Sequence, residues 1–149
     1  MLQRTAKNGN LVICKLKFED VKHNPADSVG HTLLHHAAMN GHFDIFKLII
    51  ENVKDKNPPS DSGVTPLHKA ARNGYFKICQ LIILNVKDKN PACNVGETPL
   101  HEASRKGHSD VCRLIIENVE DKNPVSIFGW TPKDFACNEK TLKLFEEFE

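Results

Sequence analysis

The stretch Gly63-Val64-Thr65-Pro66-Leu67-His68-Lys69-Ala70-Ala71-Arg72-Asn73-Gly74 decides how the rest of the chain is read. Thr65 is placed to cap a helix N-terminus, and Pro66 suits the first helical position, where a missing N–H costs nothing. Leu67, Ala70 and Ala71 recur at i, i+3, i+4, a narrow stripe of small apolar residues that permits close helix approach. Gly74 stops this short helix. A second helix is expected from about Phe76 to Leu84, with Ile78, Leu81 and Ile82 at the same spacing and Asn85 as a left-handed cap. The following Val86-Lys87-Asp88-Lys89-Asn90-Pro91 is polar and turn-forming. Neither helix is long enough to bury its stripe alone, so units of this kind must stack.

The same pattern returns every 33 residues, at Gly30, Gly63, Gly96 and Gly129 and at Thr32, Thr65, Thr98 and Thr131. His35, His68 and His101 share that period, as do Gly41, Gly74 and Gly107. Asn57-Pro58, Asn90-Pro91 and Asn123-Pro124 follow it too, with Asn24-Pro25 one period earlier. Segments 53–58, 86–91 and 119–124 are nearly identical, which suggests recent duplication or consensus engineering.

Thr65-Pro66-Leu67-His68-Lys69-Ala70-Ala71 and Thr98-Pro99-Leu100-His101-Glu102-Ala103, at this period, resemble the ankyrin repeat family. The resemblance implies an all-α solenoid of helix-turn-helix units with extended hairpin turns. Residues 1–149 are then one domain of five units: 1–29, 30–62, 63–95, 96–128 and 129–149. In the first unit Leu2, Gln3 and residues 6–9 fall in the columns of Leu67, His68 and 71–74, and its turn is one residue shorter. Leu33 stands where Pro66 and Pro99 stand, so that helix loses its rigid start. Val53, Val86 and Val119 occupy a column that the family usually fills with Gly. The last unit keeps Gly129, Thr131 and Pro132 and is expected to end in an acidic, Phe-rich helix from about Thr141 to Phe148. Its polar substitutions are what a terminal cap requires, so the C-terminal end looks native; the N-terminal end is either a native start or a cut from a longer array.

Composition narrows the function. Twenty Lys and Arg against nineteen Asp and Glu leave a formal charge of +1, with no net pull toward nucleic acid or an anionic membrane. No apolar run approaches the roughly 20 residues of a membrane span. The N-terminus lacks the apolar stretch of a secretory signal. Five cysteines, Cys14, Cys79, Cys93, Cys112 and Cys137, form no CxxC; an odd number without a signal points to reduced thiols inside the cell, in cytoplasm or nucleus. Cys14, Cys79 and Cys112 share a helix column and read as buried; Cys93, in a turn, reads as the exposed thiol.

The histidines invite a metal or proton-relay reading, but their period makes His35, His68 and His101 structural: the family's histidine in this column ties neighbouring turns together. His42 and His108, next to helix-ending glycines, read as structural as well. No spacing fits a zinc site. No phosphate-binding glycine loop, catalytic dyad or acid–base pair is legible, so the expectation is no enzyme, no metal and no cofactor.

What remains is surface. In the family, turn tips and the exposed side of the first helix build a concave face that grips partners. Carried over by column, that face holds His31, His36 and Met39, then Lys69 and Arg72, then Val95, Glu97, Glu102, Arg105 and Lys106, then Ile127, Phe128 and Trp130. Val95, Ile127, Phe128 and Trp130 form apolar tips beside a basic ridge of Arg72, Arg105 and Lys106, which a solvated face would also explain. Trp130 and Phe128 are either anchors for a partner or side chains that close the core against the last helix. The expected function is a monomeric, non-catalytic protein-interaction module. Its partner would be a protein, an acidic segment with apolar anchors, rather than nucleic acid or membrane. The alternatives are a repeat fragment of a larger multidomain scaffold and an engineered consensus repeat with no natural partner.

Overall fold

The computed structural model describes residues 22–149. Leu2, Gln3, residues 6–9 and Cys14 lie outside the described residues. The chain runs through α1 (Leu33–Asn40), α2 (Phe43–Ile50), α3 (Pro66–Asn73), α4 (Phe76–Asn85), α5 (Pro99–Lys106) and α6 (Ser109–Ile116), then a 3-10 turn (Lys133–Phe135) and α7 (Glu139–Glu147). No strand occurs among the described residues.

Each pair begins at a threonine. Thr32, Thr65 and Thr98 are extended and sit one residue before a helix. The residue three positions on, usually Glu or Gln in a capping box, is histidine, and its Nδ1 accepts the threonine N–H at 3.0–3.1 Å. Leu33 does not cost α1 its start: the threonine–histidine pair is intact and the leucine is buried. Gly41, Gly74 and Gly107 close α1, α3 and α5 in the left-handed conformation. They also admit the next unit, since a Cβ on Gly74 would lie 2.6 Å from His108 Nδ1 and one on Gly41 2.7 Å from the Tyr75 ring.

The second helices end differently from the sequence expectation. Asn52, Asn85 and Asn118 are not left-handed; among the described residues only Asn24 and glycines have positive φ. Each of these asparagines instead donates its side-chain amide to the carbonyl four residues back. A lysine then folds over the helix end. Lys56, Lys89 and Lys122 Nζ donate to the carbonyls of Ile50 and Val53, Ile83 and Val86, and Ile116 and Val119. A cation on unpaired C-terminal carbonyls serves where the left-handed glycine is missing. In the same segment Asn57 and Asn90 Oδ1 accept the N–H of Leu67 and Leu100 at 3.0 Å, satisfying an orphan donor at the start of the next helix. The near-identity of 53–58, 86–91 and 119–124 thus has a physical content: each ends one helix and begins the next.

The first helices stack as a row, α3 lying between α1 and α5, and the second helices form a parallel row, α4 between α2 and α6. Ala37, Ala38, Ala70, Ala71 and Ala103 are fully buried and keep the first row close. Ser104 replaces an alanine there and is satisfied by donating to Pro132 O. Ile45, Phe46, Ile49 and Ile50 of α2, with the matching Ile, Val and Cys residues of α4 and α6, fill the space between rows. At the C-terminal end α7 lays Leu144 and Phe145 on this core, and Arg113 of α6 pairs with Glu147 at 2.9 Å.

A candidate protein-interaction surface

The turn tips are all built alike. In the first, Asp27 N–H donates to His31 O and Gly30 N–H returns to Asp27 O, with Gly30 at φ +79°. The tips at Ser60, Cys93 and Ser126 repeat both bonds, a type I turn closed by a left-handed glycine. Successive tips are also joined. Asp61 N–H donates to Val29 O, Asn94 N–H to Ser62 O and Ile127 N–H to Val95 O, at 3.0–3.2 Å.

Histidine fixes this row to the helices. Nδ1 of His35, His68 and His101 receives a backbone N–H, so it carries no proton, and Nε2–H donates to Val64, Glu97 and Trp130 O of the following unit at 2.8–3.1 Å. Both ring nitrogens are committed in the neutral state. Burial holds His35 and His68 down to about 4, well below an ordinary histidine, and lowers His101 as well. In the fourth such column Asp134 takes the histidine's place and accepts from both Thr131 N–H and Thr131 Oγ1–H at 2.8 Å.

On this frame the residues expected to meet a partner separate into groups. Ile127, Phe128 and Trp130 are 68%, 64% and 53% exposed, so Trp130 and Phe128 do not close the core. Val95 is half-buried within the tip row. Val125, also exposed, belongs to the same tip and escapes sequence reasoning because its column holds Pro59 and Ala92. Phe135 is legible as a break in pattern: it follows His36, Lys69 and Glu102 in the column of the first helix that faces outward in the family pattern. Its ring centre lies 6.4 Å from that of Trp130 and 4.2 Å beneath the Arg105 guanidinium.

Two expectations are corrected. His36 is buried, with Nε2 3.1 Å from Asp27 Oδ2, and it braces the first described tip instead of facing outward. His31 is half-buried and stacks on His35 at 5.1 Å. The basic ridge is also not a free stripe. Arg105 is bound to Glu97 at 2.7 Å and to Glu102 at 3.2 Å while it covers Phe135, and Arg72 lies 3.7 Å from Glu102. Pairing within the unit at Arg105, and across units between Arg72 and Glu102, uses much of that charge. Lys106 and Arg72 remain exposed, Met39 is half-buried, and Lys69 is half-buried with its ammonium pKa lowered by desolvation and by Arg72.

The thiols follow the same logic. Cys79 and Cys112 are buried; desolvation pushes the Cys79 thiol far up and the Cys112 thiol to about 12. Cys93 is only half-exposed, and Cys137 is the more exposed thiol. Among the described residues no group of three His, Cys, Asp or Glu side chains is arranged to hold a metal ion, and no helix is long and apolar enough to cross a membrane.

A family model described as ankyrin repeats (3 copies) matches residues 2–92 and 80–147. No curated protein matches the chain.

Proposed function

This chain belongs to the ankyrin repeat family, whose members are in general protein-interaction modules, and we propose that it is a non-catalytic module gripping a partner protein along its tips and first helices. One observation carries the reading: Ile127, Phe128 and Trp130 stand more than half exposed on a single tip. Large apolar side chains grouped on a surface mark interaction sites, and aromatic anchors dominate such interfaces energetically.

The partner we propose is a segment with apolar side chains for this tip and acidic residues toward the first helices. Arg105 is paired with Glu97 and Glu102 and Arg72 with Glu102, and Lys106, exposed and outside these pairs, is the cation left to meet it. Met39, His31 and Val95 extend the surface along the stack; His36 and Arg105 support it from beneath. The five-unit division, a monomeric state and an intracellular setting, cytoplasmic or nuclear, belong to the same proposal.

The test is affinity capture from cells expressing the protein, with recovered partners compared across variants. Trp130→Ala should weaken binding by about 2 kcal/mol or more while the circular dichroism spectrum is unchanged. Lys106→Glu should mainly slow association and flatten its salt dependence. Normal binding by folded Trp130→Ala would refute the anchor assignment.

A further inference from the structure

The helix α7 and the tip at 126–129 differ in the surface they present. Most exposed residues of α7, including Glu139, Lys140, Lys143 and Glu146, are polar, with Leu142 the apolar one at 38% exposure. The tip at 126–129 shows the opposite character, with Val125, Ile127 and Phe128 all more than 60% exposed and Trp130 beside them.

Its backbone is open too. Val29, Ser62 and Val95 each give their carbonyl to the N–H of the following tip. Phe128 is the next residue in that series, in the same turn geometry, and among the described residues its carbonyl accepts nothing. The glycines report the same edge. A Cβ on Gly30, Gly63 or Gly96 would run into the following tip at 2.6–3.1 Å, whereas one on Gly129 would meet no atom within 4 Å. An acceptor in register, room for another backbone beside it and a rim of apolar side chains therefore coincide on one edge.

Resting on the interaction role proposed above, the geometry points to the C-terminal tip as a docking edge for an extended, apolar segment of a partner protein. The segment adds to the row of tips by donating a backbone N–H to Phe128 O and sets its side chains against Ile127, Phe128 and Trp130. The occupant is extended because the ladder needs an outward backbone donor. The interior of a helix spends its N–H groups on itself, whereas an extended chain presents alternate ones to a neighbouring edge. It is apolar at its anchors because the rim offers apolar surface. The interface continues one the protein already makes between its own tips, with the spacing already set.

The test uses the full 149-residue chain and short random peptides displayed on phage, selected on the wild-type protein. The strongest binder is synthesised and each of its amides is N-methylated in turn. One N-methyl position should weaken binding by about tenfold or more, the loss of a single well-placed hydrogen bond with its partner left unpaired. The Phe128 carbonyl carbon should be among the resonances that move most in NMR titration. Ile127→Lys and Phe128→Lys, both at exposed positions, should abolish binding and keep the thermal midpoint. Tolerance of N-methylation at every amide would overturn edge addition and leave the interaction module standing, as would shifts confined to α1, α3 and α5. A concentration-dependent dimer dispersed by Phe128→Lys would make a second copy the occupant and overturn the proposal. Failure to select any peptide that binds in solution would overturn both readings.

Discussion

Lowering the pH from 7 to 5 should remove several kcal/mol of stability through the histidines that join the units. In the fold His35 and His68 are buried, neutral and bonded at both nitrogens, with pKa values near 4, against about 6.5 for an unfolded chain. Below about pH 6.5 the unfolded chain therefore binds more protons, so its free energy drops relative to the fold and stability falls with pH until the buried rings protonate near 4. Fully expressed, the separation amounts to about 3 kcal/mol per ring, of which about 2 kcal/mol is lost between pH 7 and pH 5. The pair then loses about 4 kcal/mol, a large share of the 5–15 kcal/mol typical of a domain, and His101 adds in the same direction. Asp27, Asp134 and Glu147 are held below the ordinary carboxylate range, so their contributions are lost below about pH 4, outside this window. Urea unfolding followed by circular dichroism at pH 7, 6 and 5 measures the effect. His68→Gln, which keeps a capping-box acceptor, should be less stable at pH 7 and lose about 2 kcal/mol less on acidification. A wild-type change below about 1 kcal/mol, or an unchanged slope in His68→Gln, would refute the assignment of neutral, doubly bonded rings.

Gly129→Ala should cost about 1 kcal/mol for its left-handed backbone alone, and Gly74→Ala at least about twice that, because its Cβ also meets the His108 ring; urea midpoints distinguish them. Lys89→Met keeps the alkyl stem and strips the cation from Ile83 and Val86 O, so stability should fall by about 1–2 kcal/mol. Asn90→Ala should cost about 1 kcal/mol and speed amide exchange at Leu100, whose N–H loses its acceptor.

The stacked helix pairs were legible because threonine, proline, small residues and glycine recur at one spacing, and each has a local reason to start, narrow or stop a helix. The ends of the second helices escape a sequence reading for an equally physical reason. Asn85 looked like the terminator because it is adjacent, yet the group that satisfies the last carbonyls is Lys89, reaching back from the turn. Its column was visible in the repeat; what the sequence lacks is the path of a flexible side chain. His36 and Arg105 show the same limit at the surface. Each sits in a column that faces outward in the family pattern, and each is drawn in by a partner from another segment, Asp27 or Glu97. The apolar tip is the converse case. Its exposure follows from the turn geometry, and the open Phe128 carbonyl appears only once the tips are seen to be bonded in a row.

Site-specific photo-cross-linking tests the central claim most directly. A photoreactive residue at Phe128, on the apolar tip, is compared with one at Leu84, which is 76% exposed at the end of α4. In cells expressing the protein, Phe128 should give a discrete cross-linked partner that excess wild-type protein competes away and excess folded Trp130→Ala does not. Equal cross-linking from Leu84, or competition by Trp130→Ala as effective as by wild type, would contradict the account.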